Sequence, residues 1–266
     1  MARALIAGAG ALPKRVFAAW GDETLLCELE GAPSGLPGKI LRFRIEQLGS
    51  FLATLRDHAI TEVCFAGHLR RPPLDPALVD AATMPLVPRM LEALGQGDDA
   101  ALRTVLSFFE EAGIAVRAAQ EIAPDLMPPA GVLSRVQPGE RDVTDAARAH
   151  EIHVVLGTAD IGQACAVAAG QALAVETLGG TDWMLATLSG GNRPSGPPGG
   201  VLYKAAKPGQ DMRIDVPAIG PDTVIAAKAA GLSGIVIAEG GVIVLGRDAT
   251  IAAADAARLF LWVRRP

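Results

Sequence analysis

Little in this chain is built from cysteine or from positive charge. Cys27, Cys64 and Cys165 are its three cysteines, and none stands in a Cys-x-x-Cys or other metal spacing. A disulfide framework and a thiolate metal site are thereby excluded, and an odd number of thiols predicts a reducing compartment, the cytoplasm. Lys and Arg number 24 against 29 Asp and Glu, a formal charge of −5 spread in mixed sign. A protein that holds nucleic acid by releasing counterions needs the opposite balance, so no nucleic-acid partner is expected. Also missing are an apolar run of the roughly 18 residues that a spanning helix needs and a cationic amphipathic helix of the kind that lies on bilayers. At most a transient peripheral membrane contact is expected.

What is abundant is apolar surface. Half of the 266 residues are hydrophobic and the mean hydropathy is +0.31, enough for a large core in one or two domains and too much for disorder. The opening stretch 1–10 has the look of a weak signal peptide, yet it is broken by Gly8 and Gly10 and runs into Pro13-Lys14-Arg15. It reads instead as a first buried strand, followed by a glycine turn and a helix over 13–20. Apolar runs at 24–29, 39–45 and 62–66 read as further strands and 46–58 as a helix. Such alternation predicts an α/β domain with a mostly parallel sheet. Leu102, Val105, Leu106 and Phe109 share a helical face that Gly113 ends, before a strand at 114–116.

Pro124, Pro128, Pro129, Gly131, Pro138 and Gly139 crowd a stretch where neither helix nor strand should persist. The expected division is an N-terminal α/β domain over 1–123, a linker over 124–140 and a C-terminal α/β domain over 141–266. In the second, 142–151 and a segment from 182 read as helices, 164–167, 172–176 and 201–205 as strands, and 189–200 as a low-complexity loop. A helix over 222–230 stops at Gly231, and 235–238 with 242–245 reads as a strand pair across the turn at Glu239-Gly240-Gly241.

Four constellations carry chemistry. Gly8-Ala9-Gly10 opens like a dinucleotide fingerprint, with Pro13 where the third glycine belongs. A nicotinamide nucleotide, another phosphate or sugar held by backbone amides, and a plain tight turn are all open readings. Asp98 and Asp99 follow Gly97 at a helix start; one carboxylate is explained by capping, while its neighbour has room for a metal or a substrate hydroxyl. Gly180, Thr181 and Asp182 also precede a helix, where capping and phosphate contact compete. The fourth segment, 204–220, is the richest. Lys204, Lys207, Gln210, Arg213 and Asp215 lie among apolar residues, and on an extended chain Arg213 and Asp215 share one face. A surface ion pair is the plain reading. The other is a cationic clamp for a diphosphate beside a carboxylate that binds Mg²⁺ or orients water. His150 and His153, three apart with no further ligand near, read as a solvated helix end, and His68 as a polar loop residue.

Six ordered stretches together resemble one family. They are Leu5-Ile6-Ala7-Gly8-Ala9-Gly10-Ala11-Leu12-Pro13, Val63-Cys64-Phe65-Ala66-Gly67, Gly97-Asp98-Asp99-Ala100-Ala101-Leu102-Arg103, Asp160-Ile161-Gly162-Gln163, Ala174-Val175-Glu176 with Gly180-Thr181-Asp182, and Lys207-Pro208-Gly209-Gln210-Asp211 with Arg213-Ile214-Asp215-Val216-Pro217. The chain is similar nearly end to end to the UDP-2,3-diacylglucosamine diphosphatases of lipid A biosynthesis, of the type unrelated to the metallophosphoesterases. That resemblance implies two α/β domains with mostly parallel or mixed sheets and the ligand in the interdomain cleft. It implies Mg²⁺-dependent hydrolysis of the acylated UDP-sugar to UMP and 2,3-diacylglucosamine 1-phosphate. Asp215 is implied as the essential residue, whether as metal ligand, water-orienting group or base. Gly8, Gly10, Ala11, Leu12, Asp98, Asp99, Gly180, Thr181, Asp182, Lys204, Lys207, Gln210 and Arg213 are the candidate substrate contacts. Gly179 and His68 depart from the family pattern, in which an acidic and a smaller polar residue are expected. Monomer and homodimer both stay open. The competing functions are a nicotinamide-dependent oxidoreductase and a non-catalytic module that binds a sugar nucleotide or lipid.

Overall fold

The computed structural model describes residues 2–68, 74–95 and 98–265, with the side chains of Asp98 and Asp99 outside that description. The chain forms two compact units, Met1–Pro124 with Arg213–Asp215 and Asp125–Met212 with Val216–Pro266.

The first unit runs β1 (Ala2–Ala7), α1 (Leu12–Trp20), β2 (Leu25–Leu29), β3 (Ile40–Phe43), α2 (Leu48–Asp57), β4 (Ile60–Ala66), α3 (Val87–Leu94), α4 (Asp98–Glu111), β5 (Ala115–Arg117) and α5 (Ala119–Ile122). Its sheet has the order β3-β2-β1-β4-β5, and every pairing is parallel. The central strand explains itself: Ala4, Leu5, Ile6 and Ala7 are all fully buried, as a strand covered on both faces requires. Phe43, Phe51, Phe65 and Phe109 knit the core beside it, Phe43 stacked on Phe51 at 4.0 Å and Phe65 edge-on to Phe109 at 5.2 Å.

The second unit contains β6 (Gly131–Val132), α6 (Glu140–Thr158), β7 (Ala164–Ala168), β8 (Gln171–Val175), α7 (Gly180–Thr187), β9 (Val201–Lys204), β10 (Ala218–Ile219), α8 (Pro221–Ala229), β11 (Gly234–Ala238), β12 (Ile243–Val244), α9 (Arg247–Ala257) and β13 (Phe260–Arg264). Six strands make a mixed sheet in the order β6-β13-β11-β9-β7-β8. Alternation along each strand feeds two cores. Val201, Tyr203, Val236 and Phe260 pack with Ala146 and Ala149 of α6. Leu202, Ile235, Ile237 and Leu261 pack with Met184, Val224 and Ala254 of α7, α8 and α9.

Three expectations are corrected. The stretch 124–140 is not a bare linker: β6 pairs antiparallel with β13, and Ser134 Oγ accepts the Leu261 amide at 2.7 Å. A two-residue edge strand tolerates its flanking prolines because its outer side needs no ladder. The predicted hairpin of 235–238 with 242–245 does not form. Both edges of β11 are taken, by β9 and β13, and the Glu239 amide continues that ladder to the Arg264 carbonyl at 2.9 Å. β12 instead pairs in parallel with β10. Finally, Met212 to Ile214 form a turn rather than a strand, where Ile214 packs on the core of the first unit, to which Arg213–Asp215 belongs. The terminal α9 and β13 have no counterpart in the sequence reading. Six alanines in eleven residues leave α9 little apolar-polar contrast to reveal a period.

Candidate functional site

Open parallel sheets take ligands beyond their strand carboxyl ends, where the strand order reverses. In the first unit that point lies between β1 and β4, and the glycine turn stands there. The turn is already engaged. The Gly8 amide donates to Ala66 O at 2.8 Å, and Ala9 and His68 exchange backbone hydrogen bonds at 3.0 and 2.8 Å. Gly67 makes this approach feasible: at φ +92° a Cβ there would fall 2.7 Å from both Ala9 O and Pro13 Cγ. Gly10 is different, with φ +110° and open space where a side chain would be. Its requirement is backbone conformation, not room. Pro13 enters the first turn of α1 without an amide, and Ala11 caps it without a side-chain bond. Two amides spent on Ala66 and His68 and one missing leave few of the donors that a dinucleotide fingerprint aims at a pyrophosphate. His68, read as a polar loop residue, serves through its backbone.

Asp98 opens α4, while Gly97 and the side chains of Asp98 and Asp99 lie outside the described residues. The second unit's candidates are fully placed. Period-two alternation sends Tyr203 beneath α6 and the next residue, Lys204, toward α7. Lys204 is 8% exposed, and its Nζ donates to Thr181 Oγ1 at 2.7 Å. The Thr181 hydroxyl in turn donates to Glu176, which follows β8. Gly180 has φ +79° and starts α7, with Asp182 in its first turn. Lys207 pairs with Asp160, and its amide donates to Gln210 Oε1 at 2.8 Å, closing the turn between them. Arg213 Nη1 meets Glu110 Oε1 of α4 at 2.5 Å; Arg213 stands in the turn 212–214 and Asp215 just after it, not on one face of a strand.

On the other face of β9 lies a cluster that sequence reasoning misjudged. His153 is buried, its Nε2 3.0 Å from the Ala206 carbonyl, and His150 Nδ1 is 2.9 Å from the Tyr203 hydroxyl. Burial holds the His153 imidazole below its ordinary value, and His150 adds to that effect. The signal was present: Ala146, Ala149 and His153 fall at i, i+3 and i+7, the stripe that faces a core. Glu176 was visible only as part of a motif. A carboxylate directly after an apolar strand and before two glycines is the available cue. The three thiols are buried and pushed up to about 12 by that burial, so they stay protonated at neutral pH and are not nucleophiles.

Among the described residues no three His, Cys, Asp or Glu side chains converge as a metal cage. Mg²⁺ does not need one, since one or two carboxylates suffice when phosphate oxygens and water complete its shell.

A parallel sheet with its glycine turn at the switch point, and a mixed sheet with a buried lysine at one strand's carboxyl end, define a two-unit α/β protein whose polar side chains gather at strand ends. The LpxI N-terminal domain profile matches residues 2–126 and the LpxI C-terminal domain profile residues 129–262. The UDP-2,3-diacylglucosamine pyrophosphatase LpxI of Caulobacter vibrioides is 36% identical over 270 residues, covering 97% of this chain and 95% of that protein. The chain belongs to the LpxI family. Among the described residues no helix is long and apolar enough to cross a membrane.

Proposed function

We propose that this protein hydrolyses the diphosphate of UDP-2,3-diacylglucosamine, releasing UMP and 2,3-diacylglucosamine 1-phosphate for lipid A biosynthesis. One observation carries the reading: both LpxI domains match in order, and a curated UDP-2,3-diacylglucosamine pyrophosphatase is 36% identical across nearly the whole chain. In this reaction a water oxygen bonds to one phosphorus while the bridging P–O bond breaks, and negative charge grows on the departing phosphate. Lys204 binds the diphosphate; removed from water, its ammonium acts at lower dielectric and stabilises that charge more strongly. Asp215 is the catalytic carboxylate and the residue that would hold Mg²⁺, which when bound supplies further charge neutralisation. The amides beside Gly10, Ala11 and Leu12 and the turn at Gly180 contribute contacts to the uridine nucleotide and sugar. With three free thiols, we place the reaction in the cytoplasm.

The test is UMP release from UDP-2,3-diacylglucosamine by the purified protein, with Mg²⁺ and with EDTA. Turnover with Mg²⁺ and none with EDTA is expected. Asp215→Ala should lower kcat by about 10²–10⁴-fold or more, with substrate still bound because a repelling carboxylate has gone. Near-normal kcat in a folded Asp215→Ala protein removes that residue from the mechanism. If a lowered melting temperature is the sole effect, the plain ion-pair reading of Asp215 holds instead.

A further inference from the structure

The hydrogen-bonded chain in the second unit has a third member whose part in the reaction is unassigned. Glu176 follows β8, Thr181 lies in the first turn of α7, and Lys204 ends β9, so three separate elements bring them together. Each is only 8% exposed. The direction of every bond is set by chemistry, since an ammonium only donates and a carboxylate only accepts. Lys204 Nζ donates to Thr181 Oγ1 at 2.7 Å, and Thr181 gives its one hydroxyl proton to Glu176 Oε2. With that proton committed, the hydroxyl turns lone pairs toward the lysine. A neutral acceptor in place of the Glu176 carboxylate holds that proton less firmly, so that it can swing toward Lys204 and oppose it.

The carboxylate is itself held. Its other oxygen accepts the Gln163 amide at 3.4 Å, the Glu176 amide donates to Ala164 O at 2.9 Å, and Gly162 at φ +57° is pressed so closely that a Cβ would lie 2.2 Å from the Glu176 carbonyl oxygen. Fixing one N–H direction of an ammonium fixes the cone on which the other two lie. We infer that Glu176 is a positioning residue, which acts through the Thr181 hydroxyl to aim the Lys204 ammonium at the diphosphate without touching substrate itself. The inference rests on the diphosphatase reading above.

A double-mutant cycle tests it on kcat/KM for UMP release, with thermal midpoints measured on the same proteins. Glu176→Gln keeps the shape and removes the charge, and should lose about 10–100-fold, by analogy with the loss of an outer partner of a metal ligand. Thr181→Ser should retain near-normal kcat/KM, and Thr181→Val should fall like Glu176→Gln. In a Lys204→Met background Glu176→Gln should cost nothing further, because its effect passes through that ammonium. Multiplying losses in the double variant would overturn the inference, as would a lower midpoint in Glu176→Gln with kcat/KM unchanged. No UMP from the unaltered protein would instead bring down the diphosphatase reading, and this inference with it.

Discussion

At the scale of single residues, burial decides more than residue type. His153 looks from the sequence like a polar residue near a helix end, yet it is 4% exposed and donates from Nε2 to a carbonyl, which accepts only. That fixes the neutral tautomer. Burial lowers its pKa first, His150 lowers it further, and the Ala206 bond and Glu176 act against them. The sign follows from proton counting. Below the ordinary value of 6.5 the unfolded chain takes up a proton that the folded one still refuses. Stability from this residue is therefore complete above that pH, declines as pH falls through it, and levels off once the lowered folded value is passed. Urea midpoints across pH about 5–8 should fall on the acid side in the unaltered protein and less steeply in His153→Gln. Parallel curves for the two proteins would show that His153 carries no such linkage.

At the scale of elements, the strand-end turns show what local sequence can and cannot express. Gly67 and Gly10 both have positive φ, but only Gly67 lacks room. Gly67→Ala adds overpacking of about 1–3 kcal/mol to backbone strain of similar order, whereas Gly10→Ala incurs the strain alone. The thermal midpoint should drop clearly further for Gly67→Ala, and equal drops would mean that the bridge between Ala9 and His68 is not held by that close approach. The β1–α1 unit was legible because an apolar run, glycines and a helical period follow one another within 20 residues. Other elements were not, for reasons that differ. The strand β12 reads as half of a hairpin because sequence cannot say that both edges of β11 are occupied. The turn at 212–214 alternates like a strand, Arg213 and Asp215 around Ile214, although its apolar residue packs on a core encoded before Pro124. Among the candidate site residues, Lys204 and Thr181 were named from motif and composition, but that one hydroxyl joins them to Glu176 depends on how the consecutive elements β8, α7 and β9 fold against one another.

At the scale of the whole molecule, the two units are not the two halves of the sequence. The family profiles change over between residues 126 and 129, and the first unit's main segment ends at Pro124, yet Arg213–Asp215 belongs to that first unit as well. Ile214 is what fastens the triplet there, packed on the core built by Phe43, Phe51, Leu106 and Phe109, with the Arg213–Glu110 pair beside it. A proposed catalytic residue, Asp215, thus depends for its place on a side chain encoded about 100 residues after the core that receives it. Truncating a fully buried isoleucine costs roughly 2–5 kcal/mol; Ile214 is half-buried, so Ile214→Ala should cost about 1–2 kcal/mol, equivalent to about a 5–30-fold shift in the opening equilibrium. The distinctive outcome is where that shift is felt. Hydrogen exchange should quicken at the amides of β1 and β4, in the N-terminal half of the chain, while those of β9 and β11, much nearer in sequence, keep their protection. Should the faster exchange appear in β9 and β11 and spare β1 and β4, Ile214 is a part of the second unit's stability, and the placement of Asp215 has some other anchor.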